Sequence, residues 1–351
     1  MDCSEWSRMV GAPPVTLGAS PAIGGCDMRV ARILTALLLA TATLATAQPA
    51  VAQPLDLAAR LDHVIEERLA QMGAPGAVVS LSIPGGEIEY LKAFGGVGDT
   101  TTGAPMVVDA HTRIGSVTKT FTGTAILQLV DQGRIRLSDP ISQYVEGVPS
   151  GDVITLDMLG RMRSGLANYT DVDAFVDRLY RESPLGPDAF ATTPRELVDL
   201  AFAQPMNFAP DSDYEYSNTN TVLLGMVIEK VSGVPLGQFL QDNIFGPAGL
   251  TQTSYPVDGW LPAPYSHGYN KSPAEAIVDT TLWNPSWADA AGKIVSNVYD
   301  MRIWAKNVGQ RRAAETGDTD ATAQRRLVGG SGRRLCVRDL QRPGLAGGPQ
   351  R

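Results

Sequence analysis

The sequence is poor in the residues that build metal and redox sites. Its three histidines (His63, His111, His267) and three cysteines (Cys3, Cys26, Cys336) lie far apart. No CxxC, HExxH or similar spacing joins them, so neither a metal nor a cofactor is expected. Positive charge is also scarce: 29 Lys and Arg stand against 37 Asp and Glu, a formal charge of −8. Such a chain lacks the basic surface that neutralises phosphates, which argues against a nucleic-acid partner. There is no G-x-S-x-G elbow, so an α/β-hydrolase with a Ser-His-Asp triad is not expected. His111 and His267 read as surface or packing residues. The 36 Gly and 24 Pro are scattered without period, which excludes collagen-like and repeat architectures.

What is present begins with apolar material. At 351 residues and 44% hydrophobic composition, the chain can bury a substantial core, in two domains or one large composite one. Residues 28–52 read MRVARILTALLLATATLATAQPAVA. Arg29 and Arg32 precede an apolar stretch from Ile33 to Ala47, and Ala50-Val51-Ala52 fits the A-x-A cleavage pattern. This is the pattern of a secretory signal peptide cut before Gln53, with a secreted or periplasmic destination. The stretch falls short of the roughly 20 apolar residues of a spanning helix, so no stable membrane span is expected after cleavage. Residues 1–27 have no place in such a signal and read as an extension ahead of a true start at Met28. Only Cys336 would survive cleavage, which leaves no intrachain disulfide.

Beyond a helix-like run from Leu55 to Met72, Ala77–Ile83 and Glu87–Phe94 read as strands joined by a Pro84-Gly85-Gly86 turn. An apolar-periodic helix follows from Ser116 to Gln132, with Gly133 past its end. Thr193-Pro194-Arg195-Glu196 marks another helix start, with a cap, Pro at N1 and Glu at N3. Further helices are expected from about Asn220 to Ser232, from Pro235 to Ile244, and from Val298 to about Asn307 under a Ser296 cap. Early strands, a helical middle and mixed structure at the end predict an α+β domain, with an antiparallel sheet flanked by helices and a helical domain inserted. Residues 53–308 would form this domain. Residues 309–351 hold nine Arg, no Lys, four acids and no aromatic residue. They read as a disordered or frameshifted basic tail.

Two constellations carry chemistry. In Ser116-Val117-Thr118-Lys119, positions i and i+3 share a helix face, so the hydroxyl and the amine can meet. A serine hydroxyl needs a neighbouring base to act as a nucleophile. The helix N-terminus and nearby cations would favour the neutral amine. Tyr216-Ser217-Asn218 lies 100 residues later, before the helix expected near Asn220. A phenolate beside Lys119 would be a competent base, and the Asn218 amide could hold Lys119 and a substrate carbonyl.

The segments RIGSVTKTFTGTAILQLVDQGRIRLSDPISQYV, RSGLANYTD, YEYSNTNTVLLGMVIEKVSG and SWADAAGKIVS resemble the serine D-alanyl-D-alanine carboxypeptidases. These share a penicillin-recognising, β-lactamase/transpeptidase-like fold with the class C β-lactamases and related esterases. The likeness covers about residues 57–308, with both motifs in order. It implies Ser116 as the acylated nucleophile, Lys119 and Tyr216 as the proton-shuttling pair, and Asn218 as the substrate-orienting amide. Trp287 matches a position that walls the substrate cleft, and a core tryptophan is the equal alternative. The implied substrate is a cell-wall D-Ala-D-Ala peptide or a β-lactam, cleaved through an acyl-enzyme by a carboxypeptidase, β-lactamase or esterase.

The family's third box, His-Thr-Gly or Lys-Thr-Gly on a strand lining the cleft, has no counterpart after Lys293. Glu315-Thr316-Gly317 is the nearest string, and its acid has the wrong sign for a substrate carboxylate. The terminal sheet strands are therefore expected to be missing. The early hairpin would keep an open edge and an uncovered face. Losing one oxyanion donor costs roughly 3 kcal/mol in comparable hydrolases. An inactive remnant with at most peptide-binding ability is the second reading.

Overall fold

A computed structural model describes residues 57–82, 89–95, 98–186, 189–274 and 276–316. The signal segment 28–52, residues 1–27 and the tail beyond Thr316 lie outside the described residues. The chain divides into two units, Met1–Arg60 and Leu61–Arg351. All that follows concerns the second.

Helix α1 (Leu57–Met72) leads into the expected hairpin, β1 (Ala77–Ser82) and β2 (Glu89–Phe94). The strands pair antiparallel from Ala77↔Phe94 to Ser82↔Glu89; the Pro84-Gly85-Gly86 turn is outside the described residues. Side chains alternate faces along a strand, which is why Tyr90 and Phe94 are buried while Lys92 between them is exposed. Asp62 holds the hairpin to α1 by accepting Tyr90 Oη at 2.5 Å and Lys92 Nζ at 2.7 Å. Gly95 ends β2 at φ +82°, where a Cβ would stand 2.2 Å from the Pro75 carbonyl oxygen. Only glycine fits that approach.

The helical part runs through α2 (Thr118–Asp131), α3 (Leu156–Gly160), α4 (Asp173–Glu182), α5 (Pro194–Phe202) and α6 (Asn218–Ser232). Then come α7 (Leu236–Leu240), a π-turn and α8 (Gly246–Ala248). Two short elements frame the later site, α9 (Asp289–Gly292) and α10 (Val298–Thr316). In α2 the expected positions Phe121, Ala125 and Leu129 are buried, and Gly133 follows at φ +70°. Helix α6 is buried on nearly every side, from Thr219 through Gly225 and again at Val227 and Ile228. It is the axis of the core. Trp304 of α10 stacks on Phe121 with centroids 4.0 Å apart and planes at 12°. Its indole N–H donates to Thr120 Oγ1 at 2.9 Å.

The remaining strands are short. β3 (Thr112–Arg113) pairs with β6 (Val295–Ser296), and β4 (Tyr269–Lys271) with β5 (Ile277–Asp279), both antiparallel. Among the described residues the sheets are therefore three separate pairs, and no third strand joins the β1–β2 hairpin. Its face is partly covered, since Arg302 of α10 donates to Glu89 at 2.7 Å. Arg113 Nη2 donates to the carbonyls of Gly259, Thr281 and Trp283 at 2.8, 3.1 and 2.8 Å. Those bonds gather three loop strands just ahead of Ser116.

Three boundary expectations need correction. Ser116 sits in a 3-10 turn (Gly115–Val117), and the α-helix starts only at Thr118. Asn297, not Ser296, caps the last helix, because its Oδ1 accepts the Asp300 amide at 3.1 Å. Ser296 is already in β6. That helix continues past Asn307 to Thr316, so residues 309–316 are helical and the composition change at Gly309 is not the end of structure. Glu315 and Thr316 belong to this helix and are not on a strand.

Candidate active site

The 3-10 turn before α2 lifts Ser116 into an exposed position while Lys119 enters the first turn of the helix and is half-buried. Lys119 Nζ donates to Ser116 Oγ at 3.1 Å. Tyr216 reaches the same hydroxyl from the loop before α6, with its Oη 2.6 Å from Ser116 Oγ. Asn218 is the first residue of α6, two positions before the expected start. Its Oδ1 accepts Lys119 Nζ at 2.8 Å, and its Nδ2 donates to Thr170 Oγ1 at 3.2 Å. The Asn218 backbone N–H is taken by Asn168 Oδ1 at 3.0 Å. The second constellation thus arrives at the first with its orientation set by the RSGLANYTD segment.

A third partner was not foreseen. The carbonyl of Ala291 in α9 accepts Lys119 Nζ at 2.8 Å. Its neighbour, the carbonyl of Ala290, accepts Thr122 Oγ1 at 2.8 Å, and Thr118 Oγ1 accepts the Ile294 amide at 3.2 Å. The 290–294 turn is therefore clamped along α2. Backbone carbonyls leave no side-chain signature, so only the neighbouring SWADAAG string hinted at them.

Ser116 Oγ, Asn218 Oδ1 and the Ala291 carbonyl make three acceptors for Lys119 Nζ. Three acceptors match the three donors of an ammonium, which corrects the neutral amine expected for Lys119. With Lys119 charged, the Ser116 hydroxyl donates to Tyr216, whose ring lies 4.9 Å from the ammonium. A nearby cation favours the phenolate over the phenol. The arrangement can take a proton from Ser116.

Trp287 stands apart. It is half-buried against the hydrophobic core, and its carbonyl accepts Tyr169 Oη at 2.7 Å. His111 is a buried packing residue between the Pro264 carbonyl and Gln252 Oε1, at 3.0 and 3.1 Å. His267 pairs with Asp279 at 2.7 Å in an aromatic stack with Tyr265 and Tyr269.

A family model described as Beta-lactamase matches residues 61–344. The chain belongs to that family. Beta-lactamase-family relatives include Protein flp of Staphylococcus aureus (strain MW2), 24% identical over 257 residues, which are 72% of this chain and 49% of the relative. The chain spans about half the length of such curated relatives. Among solved structures of the family's fold it is similar to the D-stereospecific amidohydrolase from Streptomyces sp., at 34% identity and a TM-score of 0.65, covering 73% of this chain and 74% of that one. It is also similar to the D-amino acid amidase from Ochrobactrum anthropi SV3, at 29% identity and a TM-score of 0.60, covering 72% and 69%. The penicillin-recognising serine hydrolase family and the β-lactamase/transpeptidase-like fold implied by the motifs are thereby established.

Proposed function

We propose that this chain is a serine hydrolase that cleaves amide bonds through an acyl-enzyme on Ser116. One observation carries the reading: Ser116 Oγ lies between Tyr216 Oη at 2.6 Å and Lys119 Nζ at 3.1 Å. Ser116 Oγ forms a bond to the substrate carbonyl carbon as its proton passes to Tyr216. The tetrahedral intermediate then expels the amine, which takes that proton from Tyr216. Water hydrolyses the ester with Tyr216 again as base, restoring the Ser116 hydroxyl. Lys119 keeps its charge and stabilises the phenolate, and Asn218 orients the acyl group.

Among substrates, a peptide ending in D-Ala-D-Ala follows from the motif resemblance, which makes a D-alanyl-D-alanine carboxypeptidase the leading activity. The names of the two structural neighbours favour a second reading, hydrolysis of a D-amino acid amide. Both place a D-configured residue at the scissile amide. A β-lactam or an ester would enter the same acylation step. Export through residues 28–52 would bring the enzyme to cell-wall peptides.

The test is covalent labelling with a fluorophosphonate and a fluorescent penicillin, followed by peptide mapping. The label is expected on the Ser116 peptide and absent from Ser116→Ala. Labelling that survives this substitution rejects the nucleophile, and a chain inert to both probes supports the remnant reading. Release of D-alanine from a D-Ala-D-Ala peptide, against release of ammonia from a D-amino acid amide, separates the two activities.

A further inference from the structure

Behind the turn that meets Lys119 lies a polar cluster that the acylation step does not use. Asp289 opens α9 and is buried, at 8% exposure. Its Oδ1 accepts Tyr255 Oη at 2.8 Å. Its backbone has φ +35°, a left-handed conformation that a non-glycine residue holds only where its surroundings impose it. Lys293, on the same turn, lies over the Tyr255 ring at 5.0 Å. Burial pushes the Asp289 carboxyl up and the Lys293 amine down from their ordinary pKa values.

The packing around the cluster is close on two further sides. A Cβ on Gly225 of α6 would stand 2.6 Å from Ala290 Cβ, and one on Gly237 of α7 would stand 3.1 Å from the Tyr255 ring. Helix α6 thus presses on the turn directly, and α7 presses on the tyrosine that holds Asp289. On the opposite side the turn presents the Ala290 and Ala291 carbonyls to α2. A shift of Asp289 would be passed through two peptide units to the oxygen that accepts Lys119.

We propose that Asp289, held by Tyr255, is a positioning residue that sets the Ala291 carbonyl against Lys119 and so fixes the ammonium beside Ser116 and Tyr216. The bond from Tyr255 Oη supplies the constraint, so any side chain that accepts it with left-handed backbone will serve. Asparagine meets both conditions. Glycine meets only the second, and Tyr255→Phe removes the donor while keeping the ring on α7.

This inference rests on the serine-hydrolase reading for its rate effect but not for its geometry, so two measurements are paired. The first is the rate of fluorophosphonate labelling of Ser116 in the full chain. Asp289→Gly and Tyr255→Phe should slow it about tenfold to a hundredfold, the scale of misplacing a reacting group by about 1 Å. Asp289→Asn should stay within about threefold of the parent. The second is the NMR resonance of the Lys119 ε-carbon and ζ-nitrogen, assigned with Lys119→Ala. It should move in Asp289→Gly and Tyr255→Phe and stay in place in Asp289→Asn. Equal labelling rates and unmoved resonances in all three variants overturn the proposal. So does an asparagine variant as slow as the glycine variant, which would assign the effect to charge. If the parent chain takes no label, the hydrolase reading fails while the resonance test still decides the positioning role.

Discussion

At the scale of single residues, the serine and the lysine of the site carry different burdens. Ser116 is exposed, and its removal takes away one acceptor of an ammonium that keeps two others. Ser116→Ala should therefore melt within about 0.5 kcal/mol of the parent. Lys119→Ala strips Asn218 Oδ1 and the Ala291 carbonyl of their partner, and unmet polar groups of this kind cost about 1–3 kcal/mol. Denaturant titration of the two variants side by side checks the contrast. Tyr216→Phe keeps the ring near Lys119 but loses the base, so acylation should fall roughly 10²- to 10⁴-fold while binding of a non-reactive substrate analogue is retained. Stopped-flow labelling measures the first and equilibrium titration the second. The four side chains of the site were legible from two short strings. Its fifth component, a backbone carbonyl, and the acceptor Asn168 behind Asn218 were not, because neither has a composition or spacing that marks its role.

At the scale of elements, the best-read helix is α5. Thr193 Oγ1 accepts the Glu196 amide at 3.2 Å and Glu196 Oε2 accepts the Thr193 amide at 2.7 Å, a reciprocal cap in full. Thr193→Ala should cost about 1 kcal/mol, measured as a shift in the urea midpoint without change in slope. Gly225→Ala is the sharper test of packing. Its methyl would meet Ala290 Cβ at 2.6 Å, between a buried helix and a clamped turn, and overpacking at such a site costs about 1–3 kcal/mol. The hairpin, α2 and α6 could be read because periodic burial writes itself into the apolar pattern. The two-residue strands β3 and β6 could not, since their pairing is decided by partners far along the chain. The last helix was read too short because its composition turns basic before its backbone stops being helical.

At the scale of the whole molecule, acidity sets the pH response. Hydrogen bonds from the Thr102 hydroxyl and the Thr101 amide hold Asp99 down at about 2. Burial works against ionisation of Asp139, but the Arg136 amide, Tyr144 and the Arg136 guanidinium outweigh it and lower its pKa. A depressed carboxyl stabilises the fold above its unfolded value, here 3.8, and that contribution is lost as pH falls through the folded value. Asp289 has the opposite sign: raised by burial, it favours the fold at low pH and loses that contribution as pH rises through its folded value. Melting temperature should therefore fall below pH 3.8, and Asp99→Asn should flatten part of that fall; calorimetry across the range checks it. The site itself is assembled over great chain distances, with partners 99, 100 and 172 residues apart along the sequence. Non-local contacts of this kind form late and slowly. A nascent chain still short of residue 291 lacks the carbonyl that completes the lysine's set of acceptors. Serine reactivity in a ribosome-bound series of increasing length would thus switch on only after that stretch emerges, reporting when the last piece of the catalytic crevice has arrived.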